Sequence, residues 1–333
     1  MYNPQLETFI SVADAGSFNK AAEQLYITPP AVIKQINLLE TSLGLELFES
    51  LEMILQTCRE KNLPFWEAVL LDDMNERNTT REESVEQMRE LWHAMKEAAR
   101  CYDGEIRSHS GFVGGAGKQM EEYVKDGKAL CGPFVGKVIA GALQMGESNA
   151  CMKRIVAAPT AGACGVLPAV LVPYEQERKI PEQKILEALY TVAGIGQVIA
   201  LRASIAGASG GCQAEIGTAS AMAAGAMIHL RGGTGEQIIH GAAMSLKNLL
   251  GLVCDPVAGL VEIPCVKRNV AGAVIALSSA DMALAGIKSR ISPDQVIDAM
   301  KEVGDLMDVR LKETGRGGLA GTREGQEMAE TLN

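Results

Sequence analysis

The stretch CDPVAGLVEIPC at residues 254–265 carries two cysteines, and a third, Cys212, lies upstream in GGCQAEIG. Each sits at a break in the chain. Gly210 and Gly211 precede Cys212, Asp255 and Pro256 follow Cys254, and Pro264 precedes Cys265. Thiols at turn points can converge without opposing a helix. Four thiolates suit a structural zinc, whereas three leave a coordination position open. No CxxC pair occurs, which argues against a zinc ribbon. Three thiolates around an iron–sulfur cluster leave one iron without a protein ligand, and such an iron can act as a Lewis acid on a substrate oxygen. The residues alone leave two readings open, a cluster or ordinary buried thiols. The remaining cysteines read as packing or surface residues: Cys58, Cys101, Cys131 and Cys151 lie in or beside helical or charged stretches, and Cys164 sits where alanine would serve.

The rest of the chain constrains what these residues can be part of. It has 333 residues, enough for one large domain or two ordinary ones. Hydrophobic residues make up 47% but aromatics only 4%, so the core must be built from Ala, Gly, Val, Leu, Ile and Met. That favours closely packed helices with small residues at their contacts. A net charge of −10 argues against broad electrostatic binding to nucleic acid or an anionic membrane, so any DNA contact has to come from a local patch. The N-terminus carries Gln5, Glu7 and Asp14 where a signal peptide needs an apolar core. The apolar run 189–201 ends at Arg202, short of a bilayer span. These features predict a cytoplasmic chain with no membrane contact, in which eight cysteines are thiols or ligands rather than disulfides.

The elements that must position the cysteines read as all-α, with almost no alternating strand pattern. Leu6, Phe9, Ile10 and Ala13 fall at helical spacing, Ala15-Gly16 breaks the first helix, and a second runs through Ala21, Ala22 and Leu25. Tyr26-Ile27-Thr28 is a turn, and Thr28-Pro29-Pro30 fits an N-cap with proline in the first turn of a third helix. This is the shape of a helix-turn-helix. Further on, the helical pattern of residues 51–77 is interrupted at Pro64. Both Thr79-x-x-Glu82 and Thr80-x-x-Glu83 match a capping box, ahead of a helix whose buried stripe is Val85, Met88, Trp92, Met95 and Ala99.

Residues 5–48 resemble the DNA-binding head of the LysR-type transcription regulators. The resemblance rests on Gln5-Leu6-Glu7, Gly16-Ser17-Phe18, Ala21-Ala22, Ala31-Val32, Lys34-Gln35-Ile36, Leu39-Glu40 and Leu43-Gly44. It implies that Pro29, Pro30, Ile33, Lys34 and Gln35 are the exposed, groove-facing positions. The family continues into a wing and a dimerisation helix, and here Glu49-Ser50-Leu51 passes directly into different sequence. A head without wing or dimer binds DNA weakly, because affinity rests on phosphate contacts and paired half-sites. The sequence therefore divides into a small helix-turn-helix segment at 1–50, fused to a larger all-helical domain at 51–333.

From about 51 to 327 the chain is similar to the α subunit of the two-subunit, iron–sulfur-dependent bacterial L-serine dehydratase. The segments that carry this are GFVGGAGKQMEEYVKDGK, AAPTAGACGVLPAVL, ASIAGASGGCQAEIGTASAMAAGA, LKNLLGLVCDPVAGLVEIPCVKRN, ADMALAGIKSRI and KETGRGGLAGT, in that order. The resemblance implies a dehydratase catalytic domain in which Cys212, Cys254 and Cys265 hold a 4Fe–4S cluster. The cluster acts as a Lewis acid while L-serine is converted to pyruvate and ammonia, and a β subunit completes the site. No cysteine follows Cys265, so the tail offers no fourth thiolate.

Such a reaction needs donors for the substrate carboxylate and a base for the α proton. Thr160, Ala161 and Gly162 form a tight turn with free N–H groups and a hydroxyl. Asn is usual in the family where Ala161 stands. Ser108 and Ser110 offer a second wall, and His109 between them is a candidate base, the alternative being a base on the β subunit. Glu215 and Asp255 flank the thiols, Asp255 as a turn former. Lys247, Asn248, Lys267, Arg268 and Asn269 read either as caps and solvated surface or as hydrogen-bond donors to cluster sulfurs. His93, His229 and His240 read as bystanders, and SGFVGGAGK fails as a phosphate loop because Gln119 follows Lys118. Two other functions fit the same features, a DNA-binding regulator with a dehydratase-like sensor body or an inactive fusion remnant.

Overall fold

The computed structural model describes residues 48–332 continuously and, ahead of them, residues 5, 8, 10–12, 18–28, 31, 32, 34 and 35. Among the described residues there is no strand, and the only bridge is an isolated parallel one between Cys254 and Lys312. The expected all-α class holds.

In the N-terminal segment, helix α1 spans Phe18–Leu25. Tyr26 turns the chain with φ of 56°, and the Thr28 carbonyl accepts from the N–H groups of Ala31 and Val32 to start the next helix. Ala22 and Val32 are buried against each other beneath Val12 and Ile27, a small core that closes the helix-turn-helix. Lys34 is exposed. Gln35, expected to face outward, is half-buried because its side-chain oxygen accepts from the Thr8 hydroxyl. Pro29, Pro30 and Ile33 lie outside the described residues.

The body follows at once. Helix α2 (Leu51–Lys61) is capped by Ser50, whose hydroxyl accepts from Met53 N–H, and it buries Leu51, Ile54 and Leu55 in the main core. It ends at Asn62, which takes the left-handed conformation that Asn tolerates. Pro64 opens α3 (Phe65–Glu76), as its position in the sequence predicts. Of the two capping-box matches the chain uses Thr80 and Glu83, which start α4 (Arg81–Arg100). Its stripe is rotated from the expected one. Trp92, Met95 and Ala98 are buried, whereas Val85, Met88 and Ala99 are half-buried, because Ser84 turns inward to meet the Tyr190 hydroxyl.

Beyond these lie α5 (Ala116–Lys125), α6 (Gly132–Ala150), α7 (Val166–Arg178), α8 (Glu182–Arg202), α9 (Thr218–Leu230), α10 (Gly235–Lys247), α11 (Cys265–Leu284), α12 (Pro293–Leu306) and α13 (Arg323–Glu330). Helix α9, TASAMAAGAMIHL, is buried without interruption from Thr218 to Ile228. Helices α7, α8, α10 and α11 pack around it. A helix buried on every side needs small residues all round, which explains the alanine-rich composition. Gly225 shows the closeness required, since an added Cβ would collide with Ile195. Helix α8 is long and apolar enough to cross a membrane, but most of its apolar stretch is buried within the body. Cys212 lies just ahead of α9, Cys254 in the connection between α10 and α11, and Cys265 at the start of α11.

Candidate functional site

Cys212 follows the short turn Gly207–Gly210 and precedes a π-turn, Gln213–Gly217, that leads into α9. Such turns re-aim side chains and recur at functional sites. Gln213 pins it: its N–H donates to the Leu252 carbonyl at 2.8 Å, its side-chain oxygen accepts from Gly251 N–H at 2.9 Å, and its amide donates to the Met300 carbonyl at 2.9 Å. Cys254 lies in the connection between α10 and α11. Its N–H donates to the Leu311 carbonyl at 2.8 Å, and its carbonyl accepts from Glu313 N–H at 2.7 Å. The C-terminal segment KETGRGGLAGT, which the sequence marks as matching without assigning a task, thus lies directly against this loop. Cys265 is the first residue of α11, a position where the helix dipole favours a thiolate.

All three cysteines are buried and none is in a disulfide. Burial pushes the thiols of Cys212 and Cys265 up to about 12 and raises Cys254 as well, and the Glu215 carboxylate lies close enough to all three to add to the effect. The thiols also feel one another, Cys254 through Cys212 and Cys265, and Cys265 through Cys212. The structure therefore brings the three predicted ligands into one neighbourhood.

Among the described residues no group of three or more His, Cys, Asp or Glu side chains gathers tightly enough to hold a single metal ion. A cluster makes a different demand, because each thiolate holds a different iron and the sulfurs need not meet at one point. A buried, sulfur-only donor set with free thiols fits that group.

Around the thiols runs a polar frame that only partly follows expectation. Arg268 lies 2.7 Å from Asp255 and donates to the Val253 carbonyl at 2.7 Å, and its positive charge is close enough to Cys212 to favour the thiolate. Asp255 is more than a turn former. It is buried, ion-paired and accepts from Leu319 N–H at 2.8 Å, and Gly318, with φ of 57°, leaves the room this needs. Asn269 accepts from Gly165 N–H at 2.8 Å and donates to the carbonyls of Gly162 and Cys265 at 2.8 and 3.0 Å. Of the flanking polar residues, Arg268 and Asn269 therefore face inward, whereas Lys247, Asn248 and Lys267 are exposed.

Thr160 leads into a short 3-10 helix, Ala161–Ala163, whose first N–H groups have no intrahelical partner. Thr160 donates its hydroxyl to Glu215 at 2.7 Å. Ser108 and Ser110 both donate to one oxygen of Glu262, at 3.0 and 2.5 Å, which ties their turn to the loop that carries Cys254 and Cys265. Glu262 is buried. Its role was not visible from its position in VEIPC, since its partners lie about 150 residues away. His109 is exposed on that same turn. Cys164 is buried, with its thiol directed at the Met145 carbonyl, as its packing role predicts.

With this geometry in place the comparisons decide the family. Residues 60–320 match the family described as serine dehydratase alpha chain. The chain belongs to that family. Residues 4–54 separately match the bacterial regulatory helix-turn-helix proteins of the lysR family. Among serine dehydratase relatives, the chain is 42% identical over 286 residues to a probable L-serine dehydratase, alpha chain, from Bacillus subtilis, covering 86% of this chain and 95% of that one. It is 42% identical over 277 residues to the L-serine dehydratase, alpha chain, of Peptoniphilus asaccharolyticus, covering 83% and 94%. It is 35% identical over 288 residues to an L-serine dehydratase of Helicobacter pylori, where the match spans 83% of this chain and 62% of that longer protein. The family match begins at residue 60, yet Leu51, Ile54 and Leu55 are already part of the body's core, so the helical body takes in α2.

Proposed function

We propose that the chain is the α subunit of an L-serine ammonia-lyase, which converts L-serine to pyruvate and ammonia. The observation that carries this reading is the convergence of Cys212, Cys254 and Cys265 beside the Thr160–Gly162 turn, in a chain whose alpha-chain relatives are L-serine dehydratases. Cys212, Cys254 and Cys265 would hold a 4Fe–4S cluster, which when bound supplies an iron free of protein ligands as a Lewis acid toward a hydroxyl oxygen.

The chain's own residues bind and orient. The free N–H groups of Ala161 and Gly162 form a nest for the substrate carboxylate. Thr160 is fixed by its bond to Glu215, and Asn269 holds the Gly162 carbonyl in place. The Ser108–Ser110 turn, clamped on Glu262, is assigned as a second wall and carries the exposed His109, this chain's candidate acceptor for the α proton. Loss of that proton and of hydroxide gives aminoacrylate, which hydrolyses to pyruvate and ammonia. A β subunit is the expected partner, since the relatives of similar span are named alpha chains, and it is the other source of a base. The cytoplasm is the compartment in which free thiols and such a cluster persist.

The test is pyruvate and ammonia formation from L-serine by the anaerobically purified chain combined with its β partner. Stoichiometric pyruvate and ammonia support the reading, and their absence from a cluster-loaded complex defeats it. The match of residues 4–54 to the lysR head supports a second reading in which this segment contacts DNA, with Lys34 exposed for it. That reading predicts a discrete footprint that survives moderate salt. Binding that is only nonspecific and disappears as salt rises contradicts it.

A further inference from the structure

Resting on the reading above, we propose that Glu215 is the acceptor for the α-ammonium group of the amino-acid substrate. A zwitterionic substrate brings a cation as well as a carboxylate, and burying that cation requires an anionic partner. Four carboxylates are buried or nearly so around this part of the fold, and the three besides Glu215 each hold two or three partners. Asp255 holds Arg268 and Leu319 N–H. Glu262 holds Ser108 and Ser110. Glu147 holds the Tyr102 hydroxyl and the N–H groups of Ala116 and Gly117. Glu215 accepts one hydrogen bond, from Thr160 to Oε1, whereas a carboxylate has about four acceptor sites.

Its placement suits the task. An added Cβ at Gly162 would lie 3.2 Å from Glu215 Oε1, so the carboxylate abuts the turn assigned to the substrate carboxylate. An added Cβ at Gly207 would lie 2.9 Å from both Glu215 Oε2 and Cys254 Sγ. Glu215 therefore stands between the carboxylate nest and the thiols, about where the amino group of a bound serine has to lie. The glycines at 162 and 207 leave its second oxygen uncovered. Glu313 is also negative and nearby but is exposed, so solvent screens it.

The test compares wild type, Glu215→Gln and Glu313→Gln in the anaerobic two-subunit enzyme. Glutamine keeps the acceptor for Thr160 and removes the charge. Glu215→Gln is expected to raise KM for L-serine by about 10- to 100-fold while kcat changes far less. It should abolish the rise in melting temperature produced by L-alanine, which carries both charges but does not react. It should leave unchanged the inhibition constant of 3-hydroxypropionate, which lacks the ammonium group, and the iron and sulfide content. Glu313→Gln should stay within twofold of wild type throughout. The assignment is overturned if Glu215→Gln keeps the wild-type KM, if it weakens 3-hydroxypropionate and L-serine equally, or if it loses its iron, which would place Glu215 in cluster retention. A wild-type complex that makes no pyruvate defeats the lyase reading itself and this assignment with it.

Discussion

Asn269 Nδ2 donates to the Gly162 carbonyl at 2.8 Å, so the helix that begins at Cys265 holds the turn that begins at Thr160. The same side chain accepts from Gly165 N–H and donates to the Cys265 carbonyl. One buried amide thus joins the thiol-bearing loop to the nest assigned to the substrate. Asn269→Ala leaves buried backbone groups without partners and should lower the unfolding free energy by about 2–3 kcal/mol in urea titrations. It should also raise KM for L-serine. A variant with wild-type stability and KM would show that the link is incidental.

The three thiols should be separable from the other buried cysteine. Cys212→Ser, Cys254→Ser and Cys265→Ser each remove one sulfur donor at nearly constant volume. Each is expected to bring iron and acid-labile sulfide to background while the far-ultraviolet helical signal stays intact. Cys164→Ala, at a packing position, should keep the wild-type iron content. Iron lost equally in all four variants would mean that the effect is general destabilisation.

Arg268 and Asp255 form a buried ion pair beside Cys212. Removing the cation alone strands a buried carboxylate near three thiols, so Arg268→Met should cost about 3 kcal/mol of stability. Asp255→Asn in the Arg268→Met background should recover part of that loss, because the stranded charge is gone while Leu319 N–H keeps an acceptor. Two independent, additive losses in thermal melts would contradict a coupled pair.

Asp72 offers a pH test away from the site. Burial raises its carboxyl from 3.8 to about 6, although Gln197 donates a hydrogen bond to it at 3.1 Å. The folded chain therefore binds this proton more tightly than the unfolded one, and stability from this group falls as pH rises from about 4 through about 6. Asp72→Asn should be about 1–2 kcal/mol more stable than wild type at pH 8 and close to it at pH 4, in parallel melts. A gain of equal size at both pH values would assign the effect to packing.

The helices and their limits were legible because their signals are local. Pro64, the Thr80–Glu83 box and the small-residue run 218–228 each act within a few residues. The buried stripe of the fourth helix is rotated by one position from its sequence pattern, since Ser84 turns inward for Tyr190, a partner far along the chain. The thiols stood out by their places at glycine and proline breaks, but their grouping followed from resemblance, as no short spacing encodes it. The carboxylates were the hardest to read. Glu215 meets Thr160, Glu262 meets Ser108 and Ser110, and Asp255 meets Leu319 only after the helices pack, and no periodicity announces contacts at such separation.

A cluster held by Cys212, Cys254 and Cys265 is tested by iron and acid-labile sulfide analysis of the anaerobically purified full chain, after reconstitution with iron and sulfide. About four irons and four sulfides per chain are expected, lost together in Cys254→Ser. A wild-type chain that stays free of iron and sulfide after reconstitution, with its helical fold intact, would contradict it and leave the three cysteines as buried packing residues.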